Sequence, residues 1–189
     1  IADSAKKFGI RSCLCYEVSD RDGEEKCLQA IQENADFITY CEKNPSDMLA
    51  AMFGGHALFT ISDKTFERMV EANNGRTGFH IHVSEGMNDV YDSLQNYGRR
   101  PVQRLPDHGI LGPKTILGHC IHVNTAEMEI IQATGTMTVN NPESNMGNAV
   151  GCSPILQLMK RGITVGLGTD AYTNDMLESI KVALCSQRH

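Results

Sequence analysis

Four polar residues stand at the ends of apolar, strand-like runs, and their side chains could bind a metal ion and move protons. They are His82, Glu85, His119 and Asp170. In a parallel α/β barrel the carboxyl ends of the strands meet at one mouth, so residues at these ends converge. Two imidazoles and two carboxylates at one mouth predict a metal-dependent hydrolytic site.

His82 and Glu85 form an H-x-x-E pair at the end of one such run. A neutral imidazole can bind a divalent metal, and a carboxylate beside it can carry a proton between water and a leaving group. An isolated pair of this kind is more often a core histidine and a solvated glutamate. The presence of His119 and Asp170 in the same sequence favours a catalytic role for the pair instead. His80 shares a strand face with His82, and we interpret it as a packed residue one layer deeper, with a ligand pair as the alternative.

His119 follows an apolar strand tip at which Gly118 leaves space. We expect His119 either to polarise a substrate carbonyl or amidine, or to complete the metal shell. Asp170 ends a strand flanked by glycines. Because burial of an unpaired carboxylate is costly, a metal is the expected partner of Asp170. The alternative is that Asp170 caps the helix that follows.

Two further positions are candidates for contact with a substrate. His56 ends another strand and could hold the substrate, and the alternative is a histidine in a loop. The polar segment 140–145 offers amide and hydroxyl groups near the mouth. We expect Asn145 in this segment to face the substrate, with a scaffold for the metal loop as the other interpretation.

The composition restricts the class of protein and its partners. The 189 residues carry a formal charge of -6 and contain no basic run, which argues against a nucleic acid or an anionic membrane surface as partner. No apolar run approaches the roughly 20 residues that span a bilayer, and the start lacks a signal-peptide pattern. The seven cysteines are odd in number, which predicts reduced, buried thiols in a cytoplasmic protein.

Strand patterns alternate with helix patterns along the chain. The predicted strands are 9–18, 49–56, 77–83, 115–122, 135–139 and 163–167, and helices are predicted after each, with a helix or loop at 100–113 and a polar loop at 140–151. This alternation predicts an α/β fold of parallel βαβ units. A doubly wound sheet normally has a Gly-rich phosphate loop after its first strand. The sequence has no such loop, so we favour a barrel.

Five short motifs carry a resemblance to a known family. They are Gly55-His56-Ala57 with Phe59-Thr60, His80-Ile81-His82-Val83-Ser84-Glu85, Gly118-His119-Cys120, Pro142-x-Ser144-Asn145-Met146 and Gly168-Thr169-Asp170-Ala171. In this order they resemble the amidohydrolase superfamily, in its branch of cytosine, guanine and S-adenosylhomocysteine deaminases and chlorohydrolases. Within that branch the chain is most similar to an aminohydrolase type linked to selenium-dependent purine metabolism.

The resemblance implies a (β/α)8 TIM barrel of which residues 1–189 form one partial domain, roughly strands three to eight. It also implies one divalent metal ion, with zinc favoured over iron. In the family pattern His82 on the fifth strand and Asp170 on the eighth bind this ion, and Glu85 is the proton shuttle. His119 on the sixth strand contacts the ion's water or the substrate, and His56 on the fourth contacts the substrate.

The implied function is an aminohydrolase, or deaminase, of a heterocyclic or purine-like amine. The alternatives are a non-catalytic scaffold of the same fold and hydrolysis of an amide or chloride at the same site. The family's first-strand His-x-His metal pair and its accessory β-sandwich are not found in this sequence, which starts at Ile1. We therefore expect a fragment with little activity alone, and a homo-oligomer, because an incomplete barrel exposes strand edges.

Overall fold

The computed structural model describes residues 1–188. Its strands are β1 (Ser12–Leu14), β2 (Leu49–Ala51), β3 (Phe53–Ala57), β4 (Phe79–Val83), β5 (Ile116–His119), β6 (Met137–Asn140) and β7 (Val165–Leu167). Its α-helices are α1 (Ala2–Phe8), α2 (Glu24–Lys43), α3 (Asp63–Asn73), α4 (Met87–Tyr97), α5 (Pro101–Arg104), α6 (Thr125–Thr134), α7 (Pro142–Gly147), α8 (Ile155–Lys160) and α9 (Met176–Ser186). Short 3-10 turns occupy Leu58–Thr60 and Leu105–His108.

The main sheet is parallel and follows chain order. Strands β3, β4, β5, β6 and β7 are hydrogen-bonded neighbours in that sequence, and β1 pairs in parallel with β2. An isolated parallel bridge between Val18 and Gly55 joins the β1 side of the molecule to β3. Parallel neighbours need helical crossovers between them. This arrangement confirms the predicted α/β fold class.

The predicted strand 49–56 is one extended run that the structure divides into two strands. The Asn34 side chain from α2 lies at the division: its Oδ1 accepts hydrogen bonds from the N–H groups of Tyr16 and Gly54, each at 3.0 Å. Its Nδ2 donates to the Tyr16 carbonyl at 2.8 Å. The run itself changes partner at Met52, whose N–H donates to the Leu14 carbonyl of β1, whereas the Phe53 N–H donates to the Gly78 carbonyl next to β4, each at 3.0 Å. The prediction of a single strand was wrong because of this change of partner.

The predicted polar loop 140–151 was also wrong, because it contains the short helix α7. Pro142 stands at the first turn of α7, where its missing N–H costs nothing. The stretch 100–113 is helical in part, as α5 and a 3-10 turn. Helix α3 begins after Ser62 and α6 after Asn124, and both side chains accept the cap hydrogen bond.

The core lies between the main sheet and its helices. Its largest fully buried side chains are Phe53, Phe66, Ile38, Leu58, Ile61, Met69, Ile81, Leu105, Ile110, Leu117, Ile131 and Leu158. Ile81 from β4 and Leu117 from β5 alternate along their strands with His82 and Gly118. The apolar faces of these strands are thus fixed against the helices, and the alternate positions are left to face the opposite side of the sheet.

The cysteines differ in part from the prediction. All seven are free thiols, but only Cys27 and Cys120 are buried; Cys13, Cys15, Cys152 and Cys185 are exposed. The apolar neighbours of these four residues in sequence did not predict their exposure, which depends on the open edges of the fold. Among residues 1–188, no helix combines the length and apolar character needed to cross a bilayer.

Gly78 makes a close backbone approach just before β4, and its substitution should destabilise the fold. A Cβ at Gly78 would lie 1.9 Å from the Lys114 carbonyl oxygen, whereas a Cβ at Gly112 would meet no atom within 4 Å. We expect Gly78→Ala to lower the free energy of unfolding by about 1–3 kcal/mol, because backbone must move. Gly112→Ala is the matched control and should change it by less than about 0.5 kcal/mol. Urea unfolding measures both, and equal midpoints would contradict the prediction.

Candidate functional site

Three histidine rings form a row across neighbouring strands. His56 is on β3, His82 on β4 and His119 on β5. The centres of the His56 and His82 rings lie 5.6 Å apart, and those of the His82 and His119 rings 5.4 Å apart. The register pairs Ala57 with His82 and Val83 with His119, so neighbouring histidines of the row lie within one residue of each other in register, at the same edge of the sheet.

His82 is oriented by its neighbours on both sides. A Cβ on Gly118, its register partner, would lie only 3.3 Å from His82 Cδ2, so the glycine makes room for the ring. His82 Nδ1 donates a hydrogen bond to the His56 carbonyl at 2.6 Å. The proton is therefore on Nδ1, and Nε2 keeps its lone pair. This Nε2 lies 3.8 Å from Asp170 Oδ1.

His119 has the same tautomer for a similar reason. Its side chain is almost fully buried, and its Nδ1 lies 2.8 Å from Asn145 Oδ1, an acceptor to which Nδ1 must donate. The unprotonated Nε2 then faces two carboxylates, Asp170 Oδ2 at 3.8 Å and Glu85 Oε2 at 3.7 Å. The Asn141 amide nitrogen also approaches this Nε2, at 3.4 Å.

Asp170 is held at the mouth by Ser144, whose hydroxyl donates to Asp170 Oδ2 at 2.6 Å. The alternative role of Asp170, as the cap of the following helix, is wrong. Asp175 caps that helix, since its carboxylate accepts from the N–H groups of Leu177 and Glu178. The Asp170 carboxylate is thus not used as a helix cap and can serve as a ligand or a proton acceptor in the site.

His82, His119 and Asp170 provide a donor set that suits a divalent metal ion. Their ligand atoms all lie within 4.8 Å of one another. Ligands at about 2.0–2.2 Å from one ion lie roughly 3–4 Å apart. The three ligand atoms would therefore need to move only slightly toward one another to bind one ion. Two imidazoles with free Nε2 atoms and one carboxylate are the ligand types that zinc and iron accept.

Glu17, His56 and His82 form a second cluster of potential ligands. In this cluster His82 Nδ1 lies 3.9 Å from Glu17 Oε1. That nitrogen already donates to the His56 carbonyl and has no lone pair to offer. The cluster with Asp170 is therefore the better metal site.

The backbone at the mouth adopts a conformation that side chains rarely allow. Ser84, His119, Cys120, Asp170 and Ala171 all have positive φ, between 49° and 64°. Such conformations cost about 1–3 kcal/mol each and persist where the surroundings enforce them. They turn the chain sharply as β4 and β5 end and after β7, and so aim the terminal side chains across the mouth.

Burial lowers the pKa of two of the histidines. The pKa of His56 is lowered by burial and by the positive charge of Arg21, and the pKa of His80 is lowered by burial and by His82. Both rings are therefore neutral at pH 7. His56 Nδ1 lies 3.0 Å from Thr60 Oγ1, whose own proton goes to the Ala57 carbonyl. His56 Nδ1 donates in that bond, so Nε2 is a free acceptor.

Asn145 lies behind His119 and not in the open mouth. It is buried, its oxygen accepts from His119, and its nitrogen donates to Asn140 Oδ1 at 3.2 Å. Ser144, which belongs to the segment 140–145 singled out from the sequence as a substrate contact or a scaffold for the metal loop, contacts Asp170. Sequence reasoning missed Asn148, which contacts Glu85. Pro142 could have indicated these contacts, because proline is frequent at the first position of a helix. A helix that begins at Pro142 places Ser144 and Asn148 one turn apart.

A cavity of about 250 Å³ opens beside Glu85. Its walls include the apolar side chains of Phe59 and Val150 and the amides of Asn88 and Asn148, and His82 also borders it. This combination of apolar walls and a few polar groups is typical of a small-molecule site.

Comparison with protein families shows the family to which the chain belongs. The pattern of the amidohydrolase family matches residues 1–189. The chain belongs to the amidohydrolase family. The resemblance inferred from the five motifs is thereby confirmed at the level of the family.

Two archaeal relatives match the whole chain. The 5'-deoxyadenosine deaminase of Methanothermobacter thermautotrophicus is 30% identical over 100% of this chain and 45% of its own length. The enzyme of the same name from Methanobrevibacter smithii is 33% identical over 100% of this chain and 44% of its own. This amidohydrolase chain therefore spans less than half the length of these relatives.

Solved structures share the fold. An adenosine deaminase from Xanthomonas campestris with bound zinc superposes with a TM-score of 0.85, at 24% identity, over 97% of this chain and 43% of its own. Guanine deaminase from E. coli gives a TM-score of 0.84 at 17% identity, over 99% of this chain and 45% of its own. At these identities the likeness concerns the fold.

Asp89 supports the turn after β4 and should make stability depend on pH. Its Oδ2 accepts from the Ser84 N–H at 2.6 Å, and burial raises the pKa of Asp89 to about 7. Between about pH 4 and pH 7 the folded chain keeps a proton that the unfolded chain has lost. The free energy of unfolding should therefore fall as pH rises through this window, by at most about 1.4 kcal/mol per pH unit.

Asp89→Asn keeps an acceptor for Ser84 and should remove this dependence. The control is Asp36→Asn on the exposed side of α2, which should keep the slope of the original chain. Chemical unfolding at a series of pH values measures it. An unchanged slope in Asp89→Asn would assign the effect to another group.

Proposed function

We propose that this site belongs to a metal-dependent deaminase that removes the amino group from a purine-like heterocycle. The observation that carries the proposal is the convergence of the His82, His119 and Asp170 donor atoms, with the Glu85 carboxylate 3.7 Å from His119. The relatives are named as deaminases of 5'-deoxyadenosine, which is a purine nucleoside. The proposal extends that substrate class to the protein that carries this chain.

His82, His119 and Asp170 would hold the metal, and zinc fits this donor set best, with iron as the alternative. When bound, the ion supplies a Lewis acid that makes water a better nucleophile at neutral pH. The three protein ligands leave coordination positions open for other groups. We expect the 189-residue chain by itself to bind zinc weakly, because the family's first-strand histidine pair is not in its sequence.

Glu85 is the proton carrier in this proposal. Its Oε1 accepts from Asn148 at 3.2 Å, and Oε2 faces His119, so the carboxylate is directed at the mouth. It takes a proton from the attacking water and delivers it to the leaving amino group, which departs as ammonia. A carboxylate at this position exchanges protons with both reacting groups without moving far.

His56 is the proposed substrate contact. Its neutral ring presents Nε2 as an acceptor beside His82, because Nδ1 is engaged by Thr60. An acceptor at this point suits an N–H or O–H donor on the edge of a bound heterocycle. Because Nδ1 of His119 is engaged by Asn145, only its Nε2 is free, and in this proposal that nitrogen binds the metal.

Zinc binding tests the ligand assignment. We expect isothermal titration of the chain with Zn²⁺ to show one site, and we expect Asp170→Asn to weaken its affinity at least about tenfold because a carboxylate ligand is lost. His108→Ala is the control, since its ring contacts Phe66 and Asp63 far from the cluster in the packing. Equal zinc affinity for Asp170→Asn and the unaltered chain would rule the assignment out.

Ammonia release from 5'-deoxyadenosine, measured on the protein that carries this chain, tests the reaction. Glu85→Gln should lower kcat by about 10²–10⁴-fold, because the amide cannot accept the proton, with zinc affinity preserved. No turnover on any amine by the unaltered protein would favour a non-catalytic scaffold. Release of chloride or of an acid from other substrates would instead assign the same site to a different leaving group.

A further inference from the structure

One short segment contacts three of the four principal residues of the site. Ser144 donates to Asp170 Oδ2 at 2.6 Å, Asn145 accepts from His119 Nδ1 at 2.8 Å, and Asn148 donates to Glu85 Oε1 at 3.2 Å. These three targets follow or end three different strands, β7, β5 and β4. The contacting residues, in contrast, lie within five consecutive positions at the end of α7 and the residue after it.

Hydrogen bonds also connect residues within the segment 144–148 and join the segment to β6. Asn148 Nδ2 also donates to Ser144 Oγ at 3.3 Å, and the Asn148 N–H donates to the Ser144 carbonyl at 2.9 Å. Asn145 Nδ2 donates to Asn140 Oδ1 at the end of β6. The side chains of Ser144 and Asn148 are therefore coupled to each other, and the Asn145 side chain is held by the end of β6.

The segment is also fixed from outside. A Cβ on Gly147 would lie 2.2 Å from the Tyr172 hydroxyl oxygen, so the tyrosine two residues after Asp170 packs directly on the helix backbone. Glu143 Oε2 accepts from Ser179 Oγ of α9 at 2.8 Å. The loop that carries Asp170 and the helix that follows it are thus both attached to α7.

We propose that segment 144–148 is the positioning element of the site: Ser144 directs Asp170, Asn145 sets the tautomer and direction of His119, and Asn148 directs Glu85. The proposal rests on the proposed function for the roles of the three targets. Partners behind metal ligands typically change affinity or activity 10–100-fold when they are removed. Ser144 and Asn145 act on metal ligands, whereas Asn148 acts on the proton carrier, so their effects should separate.

The first measurement is metal affinity, by titration of the chain with Zn²⁺ alone and by the absorption spectrum of its Co²⁺ form. We expect Asn145→Leu and Ser144→Ala to weaken zinc binding about 10–100-fold and to alter the Co²⁺ bands. Asn145→Asp retains an acceptor for His119 and should recover affinity to within a few-fold. Asn148→Ala removes only a 3.3 Å hydrogen bond to Ser144 Oγ on the metal side, so it should weaken zinc binding by no more than about two- to threefold. Asn96→Leu, at an exposed position of α4, is the matched control for the leucine substitution.

The second measurement does not require metal. The ¹⁵N shifts of the His119 ring should report the Nδ1–H form in the unaltered chain and in Asn145→Asp, and a shift toward the Nε2–H form in Asn145→Leu. Circular dichroism checks that each variant is folded. If the unaltered chain binds no zinc but these shifts behave as stated, the proposed function fails and the positioning of His119 stands.

Two results would overturn the positioning proposal. One is an Asn145→Leu chain with the zinc affinity and the His119 shifts of the original. The other is an Asn145→Asp chain as impaired as Asn145→Leu, which would mean that the acceptor at residue 145 does not decide the state of His119 and that the lost amide donor to Asn140 matters instead. In the protein that carries this chain, Asn148→Ala should lower kcat and move the acidic limb of its pH profile, with KM unchanged. An unchanged profile would remove Asn148 from the element.

Discussion

The parallel register of β3, β4 and β5 is the constraint on which the rest of the site depends. It sets His82 opposite Gly118 and His119 opposite Val83. Because side chains alternate along a strand, a slip of one residue would turn His82 into the core and bring Ile81 to the mouth. The buried set that includes Ile81 and Leu117 makes such a slip costly, so the hydrophobic core fixes the direction of the histidines.

The hydrogen bonds at Nδ1 of His82 and His119 decide which ring nitrogen of each histidine can bind a metal. An imidazole binds a metal through an unprotonated nitrogen, and which nitrogen that is depends on the bond at the other one. The His56 carbonyl and the Asn145 oxygen each hold an Nδ1 proton, so both free Nε2 atoms point toward Asp170. The His56 carbonyl thus orients the ring of His82 on the neighbouring strand.

Polar groups buried near the mouth are part of this arrangement. Asn34 connects Tyr16 to Gly54 through its amide, and Asp89 holds the Ser84 N–H at the turn after β4. Burial of such groups is unfavourable unless they are paired. Here each one holds a backbone segment that carries or borders a histidine, and the Asp89 contact supports the positive φ of Ser84 after β4.

The sequence by itself determined the fold class, the family and the candidates His56, His82, Glu85, His119 and Asp170, because strand periodicity and short motifs are local properties. It did not determine how Asn145 would be used. That depended on α7, where helical geometry brings residues distant from the strands behind their ends. Tertiary structure alone decided the tautomers, the change of strand partner at Met52 and the grouping of positioning contacts, since each arises from atoms far apart in the chain that meet only after packing.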